Sequence, residues 1–172
     1  MGKRFLYADP HFFDENILKM EPARHVFQNI TQMHNNLIKN WNDTVTENDE
    51  VFVLGDFINS AKEEDIKEIL NALKGKITLI VGNHDKINAE YLKNNTKVTV
   101  YDHPIILDEF WMLSHEPMYV SEAMPYANVF GHVHGNPMYK TVSSRSYCVS
   151  AERTGFKPIN FDTVKTEVLA QN

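Results

Sequence analysis

The sequence predicts an α/β layered protein with an antiparallel portion toward its C-terminus. Two continuous apolar runs, Val51–Leu54 and Ile77–Val81, are typical of strands buried on both faces. An amphipathic segment lies between them, and short strand-like segments follow in the second half of the chain. A length of 172 residues with 42% apolar residues suits one folded domain, which we expect to span residues 1–172.

Strands and helices alternate in the first half of the chain. The apolar run Phe5–Ala8 predicts a first strand, and apolar residues at helical spacing predict a helix over Thr31–Trp41. Ser60 and Glu63 have the spacing of a capping box, and the helix that follows would stop before Gly75. Because this helix joins the two apolar runs, we expect a right-handed βαβ unit with parallel strands.

The second half contains shorter strand candidates with brief connections. Asp108 and Glu109 fit a tight hairpin turn between two of them. The candidates are Val98–Tyr101, Ile105–Leu107, Phe110–Leu113, Asn128–Phe130 and Ser146–Ser150.

Composition argues against several classes of protein. Lys+Arg 17 and Asp+Glu 23 give a net charge of −6, which argues against an extended nucleic-acid-binding surface. It does not exclude a phosphate substrate, because bound cations could supply positive charge. Cys148 is the single cysteine, so an internal disulfide is excluded and we expect a reducing, cytoplasmic location. No apolar run approaches the ~20 residues of a membrane span.

Metal-competent side chains follow the ends of the predicted strands. The motifs are Asp9-Pro10-His11, Gly55-Asp56, Gly82-Asn83-His84-Asp85 and Gly131-His132-Val133-His134. Functional groups in open α/β sheets gather beyond the carboxyl ends of the strands, so we expect these side chains to converge. Each motif alone is more often a turn or a polar loop. Together with His115, which follows the run Trp111–Ser114, the motifs nevertheless account for five of the eight histidines in one consistent order.

Seven side chains form the candidate ligand set. Mixed imidazole and oxygen ligands, with one carboxylate able to bridge, suit two divalent ions. Mn²⁺ is favoured, with Fe, Zn²⁺, Ni²⁺ or Mg²⁺ as alternatives. The set is Asp9, His11, Asp56, Asn83, His115, His132 and His134.

The order of these motifs resembles the calcineurin-like metallophosphoesterase superfamily, in particular its small single-domain bacterial and phage members. The resemblance implies a four-layer α/β/β/α sandwich with the metals at the strand ends. It also implies residue roles: Asp9, His11 and His134 for one ion, Asn83, His115 and His132 for the other, Asp56 as the bridge, and His84 as a catalytic residue with Asp85 as its partner.

The resemblance implies hydrolysis of a small phosphate ester or nucleotide-like substrate, with phosphodiesters favoured over monoesters. A hydroxide bridging the two ions would attack phosphorus in line, and His84 would act as general acid. Asp14 stands where similar proteins carry a second histidine, which leaves the role of that position open. Arg24 could clamp a phosphate, although a surface charge is the favoured interpretation.

Two other classes of function compete with this hypothesis. The same fold could serve as a catalytically silent scaffold that binds protein partners, or the ligand set could store or sense metal. The presence of His84 and of all seven ligands favours the enzyme. Mutation of His84 and Asp85 would separate a hydrolase from a metal-storage protein.

Overall fold

Strands and helices alternate in the first half of the chain, as the sequence predicts. The computed structural model describes residues 2–139 and 143–170. The strands are β1 (Arg4–Tyr7), β2 (Glu50–Leu54), β3 (Lys76–Ile80), β4 (Val98–Tyr101), β5 (Ile105–Leu107), β6 (Trp111–Leu113), β7 (Ala127–Phe130), β8 (Ser146–Cys148) and β9 (Ile159–Asn160). The helices are α1 (Ile17–Met20), α2 (Ile30–Thr44), α3 (Glu63–Ala72), α4 (Ala89–Lys93) and α5 (Phe161–Leu169), with short 3-10 helices at Pro22–Val26, Asp85–Ile87 and Pro137–Tyr139.

The first sheet has the strand order β4-β3-β2-β1-β9. Strands β1 to β4 are parallel, and only β9 runs antiparallel, at the edge next to β1. The unit β2-α3-β3 is the βαβ unit that the sequence predicts, with Val53 opposite Leu79. The carboxyl ends of β1, β2 and β3 therefore meet at one edge of this sheet.

The second sheet has the order β5-β6-β7-β8, and its pairing corrects the expectation of an antiparallel C-terminal portion. Only β5 and β6 are antiparallel, joined by a turn in which Asp108 and Glu109 have φ values of 50° and 60°. Strands β6, β7 and β8 are parallel. Parallel neighbours need connections of about a dozen residues or more, and the connections between residues 113 and 127 and between 130 and 146 are long enough.

Side chains on the two faces of the first sheet enter two different cores. Val53 and Leu79 pack with Trp41 of α2 and with residues of α3 and α4. Leu54 points to the other face and packs with Val129 of the second sheet. Helix α5 contacts β1 and β9 as well as β8, so it touches both sheets. This arrangement confirms a mixed α/β fold with two sheets rich in parallel strands.

The start of α3 corrects a second expectation. The N-cap position is Lys62, and Ser60 does not form a capping box with Glu63. The Ser60 hydroxyl instead accepts from the Lys62 backbone N–H and donates to Asp65. Gly75 lies beyond the helix end with φ +81°, in the turn that leads into β3. Among the described residues, no helix is long and apolar enough to cross a membrane.

Candidate metal centre

Loops at the carboxyl ends of strands in both sheets carry the candidate ligands. Three of these loops follow the first sheet and two follow the second. Asp9 and His11 follow β1, Asp56 follows β2, Asn83 follows β3, His115 follows β6, and His132 and His134 follow β7. The structure brings all seven side chains of the predicted set to one place, where they form two neighbouring groups.

The first group consists of Asp9, His11 and His134. Each contributes a ligand atom, and these atoms lie within 4.8 Å of one another. Nε2 of His11 is buried and has no hydrogen-bond partner. Because an unpartnered buried polar atom is costly, this nitrogen is well placed to coordinate a cation.

The second group consists of Asp56, His115 and His132, with Asn83 beside them. Nε2 of His115 lies 2.9 Å from Oδ1 of Asn83 and 3.0 Å from Nδ1 of His132. Nδ1 of His132 lies 3.1 Å from the same Asn83 oxygen. Lone pairs that converge in this way suit a divalent cation with nitrogen and oxygen ligands.

Asp56 connects the two groups. Its Oδ2 atom lies 3.5 Å from Nε2 of His11 and 3.5 Å from Nε2 of His115. Its other oxygen accepts from the backbone N–H of His84 at 2.8 Å, which fixes the carboxylate. The residues present therefore fit a pair of cations with Asp56 between them.

Hydrogen bonds set the tautomer of three candidate histidine ligands. Nδ1 of His11 donates to Asp14 at 3.1 Å, and Nδ1 of His115 donates to the Leu54 carbonyl at 2.9 Å. Nδ1 of His134 faces Glu152 at 3.2 Å and donates to it. A proton on Nδ1 leaves the Nε2 lone pair free to bind a metal ion. Hydrogen-bond acceptors commonly orient metal-binding histidines in this way.

The backbone of the ligand loops is strained. Asp9, His11, Asp56, His132 and His134 all have φ between 49° and 69°. Residues other than glycine rarely adopt these angles, and strained residues cluster at functional sites. Gly55 also has positive φ, and a Cβ there would collide with the His115 ring.

Arg24 corrects the sequence-based interpretation, because it is neither on the surface nor in reach of a substrate. Its side chain is 0% exposed and donates to the backbone carbonyls of Asp9 and Pro10. Its Nε atom donates to Glu152 at 2.6 Å. Arg24 therefore supports the first ligand loop from inside the protein.

Glu152 is a functional residue that the sequence did not reveal. Its side chain is 1% exposed and contacts both Arg24 and His134. Burial by itself would raise the pKa of Glu152, but the hydrogen bond from His134 and the charge of Arg24 outweigh it and lower the pKa to about 2. The pKa of His134 is raised by Glu152 and Asp9 against the effect of burial.

Carboxyl groups around the ligands differ in pKa according to their partners. The hydrogen bond from His11 lowers the pKa of Asp14 to about 2, so Asp14 stays ionised and keeps its hold on the ring. Burial raises the pKa of Asp9, although three nearby histidines oppose this effect. A cation in the first group would favour the ionised form of Asp9.

The expected pairing of His84 with Asp85 is wrong. Both Asp85 oxygens accept from backbone N–H groups, those of Phe57 and Gly82, at 2.8 and 2.9 Å. Asp85 thus joins the loop that carries Asp56 to the loop that carries Asn83. The His84 ring is exposed, and its centroid lies 5.0 Å from that of His11.

Fold and site together define a class of protein: an α/β two-sheet protein with groups of possible metal ligands at the strand ends. The chain belongs to the calcineurin-like phosphoesterase family, whose sequence profile matches residues 5–170. It is 33% identical over 171 residues to the uncharacterized protein MJ1445 of Methanocaldococcus jannaschii, covering 95% of this chain and 90% of that protein. The crystal structure of the protein of unknown function AQ665 from Aquifex aeolicus is also similar, with a TM-score of 0.74, 26% identity, and coverage of 96% of this chain and 99% of that one.

Proposed function

We propose that the protein is a dinuclear metal-dependent phosphoesterase that prefers phosphodiesters to monoesters. The observation that carries this proposal is the position of Asp56 between two groups of ligand atoms, 3.5 Å from a nitrogen of each. Two divalent ions, Mn²⁺ by preference, would supply Lewis acidity toward the phosphoryl oxygens and a nucleophile from water at neutral pH. Membership of the calcineurin-like family supports the class of reaction.

His84 is the residue that we propose as proton donor. Hydrolysis forms a bond from water oxygen to phosphorus and breaks the bond to the leaving oxygen, so a diester gives a monoester and an alcohol. The leaving alkoxide needs a proton, and a histidine is suited to donate it at neutral pH. The His84 ring is exposed beside His11, and its backbone is held by Asp56.

Two clefts beside the candidate centre favour a diester. One is lined by Asn83 and His115, and the other by His132 and His134. The two clefts share Glu116 and Pro117 at their boundary. A phosphorus atom at the centre could therefore carry one substituent on each side, which a monoester cannot use.

The test is hydrolysis of a bis-aryl and a mono-aryl phosphate, followed by cyclic nucleotides, by the Mn²⁺-loaded protein. We expect the diester to have the higher kcat/KM. Asp56→Asn serves as the inactive variant of matched size, because it keeps the size of the side chain but removes the negative charge shared by the two ions. It should reduce both metal content and turnover. Metal-replete wild-type protein that hydrolyses none of these esters would refute the proposal and favour the scaffold alternative.

The net charge and the single cysteine support two further parts of the proposal, the size of the substrate and the location of the protein. We propose a small phosphate ester or nucleotide-like substrate, because the net charge of −6 does not suit an extended nucleic acid. We propose a cytoplasmic location because the single cysteine, Cys148, is a free, buried thiol.

A further inference from the structure

The cleft beside Asn83 and His115 has a wall that is mainly apolar. It has a volume of about 570 Å³, within the usual range of small-molecule pockets. Val81, Ala89, Pro104, Pro117 and Met118 line it. None of these residues belongs to the candidate ligand set, so the metal centre does not account for this surface.

Charged groups lie around this cleft and differ in how they are paired. Asp102 lies 2.8 Å from His103 and 3.8 Å from Lys93, so its charge has partners. Lys86 also lines the cleft, and within the described residues it forms no ion pair. A cation without a partner beside an apolar wall suits an anionic ester that carries an apolar substituent.

The position of His84 indicates which substituent would enter the cleft. His84 does not line it, and its ring lies against His11 in the other ligand group. If His84 protonates the leaving oxygen, the leaving group departs on the His11 side. The cleft on the Asn83 and His115 side then faces the substituent that stays on phosphorus.

We propose that this cleft binds a planar, ring-bearing substituent, aryl or nucleobase, that is retained on phosphorus during hydrolysis. This inference rests on the proposed function for the position of the phosphorus atom. A volume of about 570 Å³ accommodates a ring of this size, and Val81, Pro104 and Met118 offer it an apolar surface. The cleft thereby selects among small phosphodiesters by their retained group.

The experiment keeps the leaving group constant and varies the retained group. We would compare phenyl 4-nitrophenyl phosphate with methyl 4-nitrophenyl phosphate, because both release 4-nitrophenolate. Burial of a ring should raise kcat/KM for the phenyl ester about 10–100-fold over the methyl ester. Calorimetric binding of phenylphosphonate and methylphosphonate, which are not hydrolysed, gives a second readout that does not depend on turnover.

Variants separate the cleft from intrinsic differences between the two esters. Ala89→Trp would fill the cleft and should reduce the phenyl-to-methyl ratio at least 5-fold, while Ile87→Trp adds the same ring at a residue that is 60% exposed and outside the cleft. Met118→Asp places a charge on the same wall and serves if Ala89→Trp does not fold. Circular dichroism and metal content check that each variant is intact.

The outcomes distinguish the two proposals. If the phenyl-to-methyl ratio of kcat/KM falls in Ala89→Trp or Met118→Asp but not in Ile87→Trp, the result supports binding of the retained ring in the cleft. A ratio unchanged in all folded variants, with equal binding of both phosphonates, overturns the cleft while the proposed function stands. Hydrolysis of neither ester refutes the proposed function, and tighter binding of phenylphosphonate that Ala89→Trp abolishes would then still establish the cleft as a ring-binding site.

Discussion

Replacement of Arg24 by methionine should destabilise the metal-free protein severely. The variant removes a guanidinium that is 0% exposed and leaves the Glu152 carboxylate, 1% exposed, with His134 as its remaining partner. Removal of one partner of a buried ion pair costs about 3–5 kcal/mol, because the other charge stays buried, and His134 compensates the Glu152 charge only in part. The carbonyls of Asp9 and Pro10 also lose their donor, which offsets the compensation by His134, so we expect a loss within this range.

Urea unfolding in the presence of a chelator measures this effect on Arg24→Met. With an m-value of about 1–3 kcal/mol/M, the midpoint should fall by more than ~1 M. The double variant Arg24→Met/Glu152→Gln removes both charges and should recover part of the loss, so the two substitutions should not be additive. If Arg24→Met lies within ~1 kcal/mol of wild type, or if the double variant is the sum of the single ones, the assigned role of the pair is incorrect.

Three further predictions concern individual side chains. His84→Ala should slow hydrolysis of an ester with a poor leaving group about 10²–10⁴-fold while both metals stay bound. An unchanged rate would show that His84 is not the proton donor. Asp14→Asn should weaken metal binding about 10–100-fold by releasing the His11 ring, as metal titration would show, and equal affinity would contradict that role. The pKa of Glu152 falls from 4.5 to about 2 on folding, so its contribution to stability is complete above about pH 5 and is lost as the pH falls toward 2. In the presence of chelator, the free energy of unfolding of Glu152→Gln should therefore decrease less than that of wild type between about pH 5 and pH 3, which gives a smaller slope against pH. Asp9 and Asp85, whose pKa values are raised by burial, are present in both proteins and do not account for this difference. Equal slopes would mean that Glu152 is not held ionised by its partners.

The two chain halves differed in how well the sequence predicted their structure. In the first half, the apolar runs are continuous and the helix between them is long enough to be amphipathic, so the parallel β2-α3-β3 unit could be predicted. In the second half, β5 to β8 have only three or four residues each. Short strands carry no signal of direction, and few of the described residues in the long connections that allow β6, β7 and β8 to be parallel are helical.

The buried residues that support the site could not be predicted from the sequence. Arg24 and Glu152 are 128 positions apart and belong to no motif, so only folding brings them together. Asp85 does belong to a motif, yet its neighbour in sequence is not its hydrogen-bond partner. Asp14 could have been found, because its position three residues after His11 in a turn allows a contact with the ring.

The sequence by itself determined the kinds of ligand and their order, because metal-competent side chains, in three cases after a glycine, follow the ends of several apolar runs. It also determined the parallel β2-α3-β3 unit, because burial of β2 and β3 on both faces leaves continuous apolar runs. The tertiary structure decided which groups hold the ligands in place and which surfaces adjoin them. Those features depend on contacts between distant segments, such as Glu152 with Arg24 and His134, and on the space left between loops, which no local pattern encodes.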